Sequence, residues 1–248
     1  MKLFEKHEVT FAVILIVIYV VGSSVMQRVS EAVGVQFLAE TLFCIVLTAV
    51  LLVFIRKNGL SAYLGLQKPD CPASGMLFYL PLFLIPGVTL CFGVGLEYGI
   101  VPTILHTLMM CCVGFLEEVI FRGFLFRSIA KQSLTRGIVI GSLTFAIGHF
   151  VNLLNGSSFV QNLQQVIYAA AVGFLLTFLF LRTGSILPCI AFHALNNCLT
   201  AFATGSLLID RLGEQNAALL MIGVRLAIAA AYLVYVIKRP RHELPAKS

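Results

Sequence analysis

Eight apolar segments follow one another along the 248-residue chain, at about residues 9–27, 36–55, 74–96, 101–126, 137–151, 160–181, 185–203 and 215–237. A helix that crosses a bilayer needs roughly 20 predominantly apolar residues, and most of these segments reach or approach that length. The connections are short and leave no room for a soluble domain. Composition agrees. Hydrophobic residues make up 59% of the chain and charged residues 11%, against about 25% charged in a soluble domain. Such a chain has too little polar surface to cover itself in water. The expected fold is all-α: a polytopic membrane helix bundle of about eight transmembrane helices, forming a single membrane domain over residues 1–248. Pro81 and Pro86 predict a kink in the third segment. The first segment is read as a span rather than a cleavable leader, because "GSSVMQR" and further spans follow it. The C-terminal "ELPAKS" is no prenylation signal.

Basic residues sort by loop. With the N-terminus inside and the spans alternating, the inner segments hold Lys2, Lys6, Arg56, Lys57, Lys68, Arg127, Lys131, Arg136, Arg182, Lys238, Arg239, Arg241 and Lys247. The outer loops hold only Arg28 and Arg211. Cytoplasmic loops carry such an excess of Lys and Arg, so a cell-membrane protein with both termini cytoplasmic is expected. The net charge of +6 therefore belongs to a chain partnered by a lipid bilayer. It forms no basic face interleaved with aromatics, which argues against nucleic acid. The seven cysteines (Cys44, Cys71, Cys91, Cys111, Cys112, Cys189 and Cys198) include no C-x-x-C pair and read as small buried hydrophobes.

An ionisable residue within a span is a functional candidate by default, because it costs at least about 2.5 kcal/mol to insert. Three clusters qualify. In "CCVGFLEEVIFRGFLF", Glu118 and Arg122 are one helical turn apart and can pair, whereas Glu117 points about 100° away. In "TFAIGHF", Phe145 and His149 share a face, and in "LPCIAFHALNN", His193 and Asn197 do. Each cluster alone also has a structural reading, as an ion network, a core histidine or an interhelical hydrogen bond. Depth joins them. Counted at 1.5 Å per residue from the basic residue closing each span, Glu117, His149 and His193 lie roughly 15, 20 and 17 Å deep. Elsewhere, Glu40 and His106 lie near helix ends and are expected to reach the interface. Arg225 is deeper and is read as half of a structural pair.

A carboxylate, two imidazoles and an amide at one depth suit water activation. A buried Glu becomes a better general base, a His beside it can share the proton, and a second His with an Asn can donate to a tetrahedral oxyanion. A zinc ion held by Glu117, His149 and His193 is an equally legal use of the same groups. A transporter relay has no inverted repeat to support it.

The three motifs "EEVIFR" (117–122), "FAIGH" (145–149) and "HALNN" (from 193) occur in order. They resemble the E-E-x-x-x-R, F-x-x-x-H and H-x-x-x-N signature of the CAAX protease and bacteriocin-processing family of intramembrane proteases, also called the Abi family. The resemblance covers about residues 101–203. It implies an eight-helix membrane endopeptidase acting on a peptide or membrane-protein substrate. In it, Glu117 and His149 activate water, His193 and Asn197 form the oxyanion hole, and Glu118 and Arg122 support the geometry. The family has been classed as metalloproteases, so zinc is one implied cofactor and a metal-free glutamate site is the other option. It also includes bacteriocin self-immunity proteins and modulators of sensor kinases, so a non-catalytic binding or regulatory role is the alternative.

Overall fold

The apolar segments fold as helices because a backbone without water to bond must satisfy itself internally. The structure, a computed structural model, describes residues 2–69 and 78–240. Cys71, Arg241, Lys247 and the start of the third apolar segment lie outside the described residues. Eight principal helices run in chain order: α1 (Glu8–Val33), α2 (Leu38–Lys57), α3 (Leu80–Gly87), α4 (Ile100–Glu118), α5 (Leu134–Gly148), α6 (Phe159–Thr183), α7 (Leu187–Cys198) and α8 (Glu214–Ile237). α4 continues through a π-helical segment, Val119–Phe126, and a last turn, Arg127–Ala130. Local chemistry sets several ends. Gly34 and Gly184 take the left-handed cap conformation after α1 and α6, and Ser158 with Gln161 forms a capping box at the start of α6.

The fold is the all-α membrane helix bundle expected, and among the described residues six helices are long and apolar enough to cross a membrane. The described part of the third segment and the seventh segment fall short of that length. In the third, α3 gives way to a 3-10 turn over Val88–Phe92. Pro81 and Pro86 lack the N–H that a continuous helix needs. In the seventh, α7 has 12 residues before a 3-10 turn at Leu199–Ala201, so it rises only roughly 18 Å.

The two ends of the bundle differ in charge. At one end Lys131 Nζ meets Glu8 Oε2 at 2.6 Å, and the Arg127 guanidinium lies over the Tyr63 ring at 4.2 Å. Ser185 Oγ donates to the Gln67 carbonyl at 2.5 Å, and Arg182 Nη2 to that of Ile237 at 2.9 Å. These contacts gather the start of α1 and the ends of α2, α4, α6 and α8, with their Lys and Arg residues. A layer of rings closes this end inside: Phe124 packs edge-on against Phe4 (5.4 Å between centroids) and Phe11 (5.2 Å), and Phe11 stacks on Phe54 at 5.4 Å.

The opposite end carries Arg28 and Arg211. There Arg28 Nη2 donates to the Leu154 carbonyl at 2.9 Å. Glu40 and His106 do not reach the interface as expected; both are buried. Glu40 accepts a hydrogen bond from Ser30, and His106 sits edge-on to Phe37 and beside Tyr98, at 5.1 and 5.5 Å. The turn between α1 and α2 and the segment before α4 fold over them. The cysteines also divide. Cys44 and Cys189 are buried, whereas Cys91 and Cys111 are exposed on the apolar outside of the bundle.

One contact sets the distance between α4 and α7. A Cβ placed on Gly114 would lie 2.7 Å from the Ala194 backbone nitrogen and 2.9 Å from its Cα. Only a residue without a side chain lets the two backbones approach so closely. Gly114→Ala is therefore expected to destabilise the bundle by about 1–3 kcal/mol, the range for overpacking. Gly223→Ala on α8, where a Cβ meets nothing within 4 Å, should leave stability unchanged or slightly raised. Melting curves of the detergent-solubilised variants check this; equal midpoints would remove the close contact.

Candidate active site

The contact of Gly114 with Ala194 sets Glu117 and Glu118, one turn further along α4, beside His193, the neighbour of Ala194 on α7. Glu118 is fully buried. Its Oε1 accepts from Arg122 Nη1 at 3.0 Å and lies 2.8 Å from His193 Nδ1. Arg122 reaches further. Its Nη2 donates to the Gly173 carbonyl on α6 at 3.3 Å, and its guanidinium covers the Phe145 ring on α5 at 4.3 Å. The expected i,i+4 pair is present. The π turn around Arg122 buries all eight residues from Val119 to Phe126, and Arg122 is 1% exposed. A buried pair needs hydrogen bonds beyond its own; His193 and Gly173 supply one to each member, while Glu118 Oε2 and Arg122 Nε have no hydrogen-bond partner.

Phe145 sits among these groups. Its ring is edge-on to His149 at 5.1 Å and to His193 at 5.7 Å, while its face carries Arg122. The first residue of F-x-x-x-H thus sets the spacing between the two histidines. His149 Nδ1 lies 3.0 Å from the Phe145 carbonyl. A carbonyl only accepts, so this nitrogen carries the proton and Nε2 of the neutral ring is left as an acceptor. Asn162 Nδ2 donates to the His149 carbonyl at 2.9 Å and ties the end of α5 to α6.

Glu117 faces the other way, as its helical angle requires. Oε1 accepts from Tyr19 Oη of α1 at 2.6 Å. Oε2 is buried with no hydrogen-bond partner and lies 3.4 Å from His193 Nε2. With Nδ1 on Glu118 and Nε2 towards Glu117, His193 lies between two carboxylates, and a proton on Nε2 or on Oε2 joins the pair.

A cavity of about 680 Å³ opens beside this group, within the usual range for ligand sites. Glu117, His149 and Asn197 line it, with Tyr19, Phe121, Phe145, Met109, Met110 and Val113. His193 is not on its wall but behind Glu117. The rim consists of Ser23, Ser24, Gln27, Glu31, Gly34, Gln36, Asn152, Asn155 and Gln165, all towards the sparsely charged end. Among the described residues no three His, Cys, Asp or Glu side chains are grouped to hold a metal ion. Glu117, His149 and His193 are thus not arranged as a set of three zinc ligands.

Three contributors escape sequence reasoning. Tyr19 and Tyr168 are single aromatic residues in apolar helices, and nothing in their surroundings distinguishes them. Asn196, which points away from the His193–Asn197 face, donates through Nδ2 to Asn197 Oδ1 at 3.0 Å. Arg225, read as half of a pair, meets no carboxylate among the described residues; Nη2 donates to Asn196 Oδ1 at 2.5 Å.

Residues 99–199, which carry all three motifs, match the family model described as Type II CAAX prenyl endopeptidase Rce1-like. No curated protein matches the chain. Over residues 99–199 the chain is thus similar to the Rce1-like CAAX endopeptidases, the kind of protease that its motifs resemble.

Proposed function

We propose that the protein hydrolyses a peptide bond inside the membrane, using a water molecule activated at Glu117. The observation that carries this reading is the placement of Glu117: a carboxylate with no cation beside it, on the wall of a cavity that His149 and Asn197 also line. In this mechanism a water in the cavity lies beside the Glu117 carboxylate and gives it a proton as its oxygen attacks the carbonyl carbon. His149 Nε2, unprotonated, accepts the water's other hydrogen bond. The oxygen of the tetrahedral intermediate takes a hydrogen bond from Asn197 Nδ2, whose carbonyl end is already occupied by Asn196. Collapse breaks the C–N bond, and the proton passes from Glu117 to the leaving amine. His193, expected as a second oxyanion donor, acts here through Glu117 by sharing its proton. Glu118 and Arg122 hold His193. No step runs through a metal.

Access to the site follows from charge. The aromatic layer of Phe4, Phe11, Phe54 and Phe124 closes the basic end, and the rim lies at the other. By the positive-inside rule the basic end is cytoplasmic, so substrate enters from the outer face. Neither Lys nor Arg lines the cavity. A free terminal carboxylate would find no fixed cation there, so an internal peptide segment is the better occupant.

Two outcomes are expected. Peptide mass spectrometry of membranes bearing wild-type protein should show fragments absent with Glu117→Gln. A quenched copy of the cleaved peptide should then be hydrolysed about 10²–10⁴-fold more slowly by purified Glu117→Gln, with a chelator leaving the wild-type rate unchanged. Activity within a few-fold of wild type would remove the mechanism and leave a binding or regulatory role. Inhibition by chelator reversed by zinc would establish the metal alternative. For access, Gln165→Cys should react with an impermeant maleimide in intact cells, above the wild-type background, and Lys57→Cys only after permeabilisation. The reverse pattern would place the rim in the cytoplasm.

A further inference from the structure

Arg225 is a cation near the middle of a membrane-spanning helix, outside the family-matched segment, and the mechanism above does not use it. Three helices meet around it. From α8, Arg225 Nη2 donates to Asn196 Oδ1 on α7 at 2.5 Å, and its guanidinium lies 4.1 Å over the Tyr168 ring on α6. Tyr168 Oη donates to the same oxygen at 3.0 Å. Asn196 Nδ2 in turn donates to Asn197 Oδ1 at 3.0 Å.

The polarity of this chain is fixed from one end. A guanidinium has donors and no acceptor, so the Asn196 atom it meets is the oxygen. The Asn196 amide nitrogen must then face Asn197, and a nitrogen that donates must meet an oxygen. Asn197 Oδ1 is thereby held against Asn196, and its amide can present only Nδ2 to the cavity it lines.

We infer that Arg225, Tyr168 and Asn196 are positioning residues that lock the Asn197 amide with its donor towards the substrate oxygen. An amide free to turn over would offer that oxygen a carbonyl, which repels it, for part of the time. Donors aimed in advance at the developing oxyanion are what make such a hole effective. The inference rests on the hydrolytic reading of the site.

Asn196→Asp tests it. A carboxylate at this position still accepts from Arg225 and Tyr168, so the helix contacts persist and the cation gains a counter-charge. It cannot donate to Asn197. With the quenched peptide above, the expected result is a kcat lowered about tenfold, less than the about 10²–10³-fold of losing an oxyanion donor outright. KM should be little changed, because the interaction matters mainly in the transition state, and the melting temperature should be equal or higher. In the Asn197→Ala background the same substitution should cost nothing more. Tyr168→Phe, which removes one of two donors to Asn196, should show a smaller loss of the same kind. A kcat within twofold of wild type in a folded Asn196→Asp variant would overturn the inference, as would a full further loss in the Asn197→Ala background. Glu117→Gln run in parallel separates the two failures. If it is inactive while Asn196→Asp is normal, only the positioning role falls; if it is active, the hydrolytic reading falls and takes this one with it.

Discussion

The ion pair between Glu118 and Arg122 organises the rest of the site. Both side chains are buried, and two charges removed from water destabilise a fold unless each finds hydrogen bonds beyond the other. Arg122 finds the Gly173 carbonyl on α6 and the Phe145 face on α5; Glu118 finds His193 on α7. A cation and a carboxylate on α4 thus draw three other helices to fixed positions. Breaking such a pair typically costs 3–5 kcal/mol, because the remaining charge has nowhere to go. The π turn over Val119–Phe126 fits this account, since such turns widen a helix and recur at functional sites.

Once Arg122 is committed to Glu118, Glu117 has no cation of its own. It keeps a tyrosine hydroxyl on one oxygen and, on the other, only the edge of His193. That division between adjacent residues follows from helical geometry alone, and it assigns one carboxylate to the scaffold and the other to the cavity. The glycine contacts make it possible. Gly114 brings α7 against α4, and a Cβ on Gly173 would lie 3.1 Å from the Ser142 carbonyl, which marks a similarly close approach of α6 to α5.

Much of this was legible in the residue order because periodicity and charge are local. The i,i+4 spacing of Glu118 and Arg122, the turned-away Glu117 and the common depth of His149 and His193 all follow from one helix at a time. So does the separation of basic from sparsely charged ends. What was not legible depends on neighbours. Length alone did not reveal that Pro81, Pro86 and the 3-10 turn after Cys198 leave α3 and α7 short. Glu40 and His106 lie near helix ends, as counted, yet loops cover them. Nor does one helix alone show that Glu118 meets one ring nitrogen of His193 while Glu117 faces the other. Tyr19 and Arg225 are contributed by α1 and α8, far in sequence from the motifs, so their partners emerge only when the helices assemble.

The central claim is that two adjacent carboxylates have different tasks, Glu118 holding the helices and Glu117 serving the cavity. Thermal unfolding of Glu117→Gln and Glu118→Gln in the same detergent tests it most directly. Gln at 117 can still accept from Tyr19, so that variant should melt with the wild type. Gln at 118 leaves Arg122 without its counter-charge, and a clear fall in melting temperature is expected, in keeping with a loss of about 3–5 kcal/mol. Equal melting of the two variants, or a larger fall for Glu117→Gln, would contradict the account.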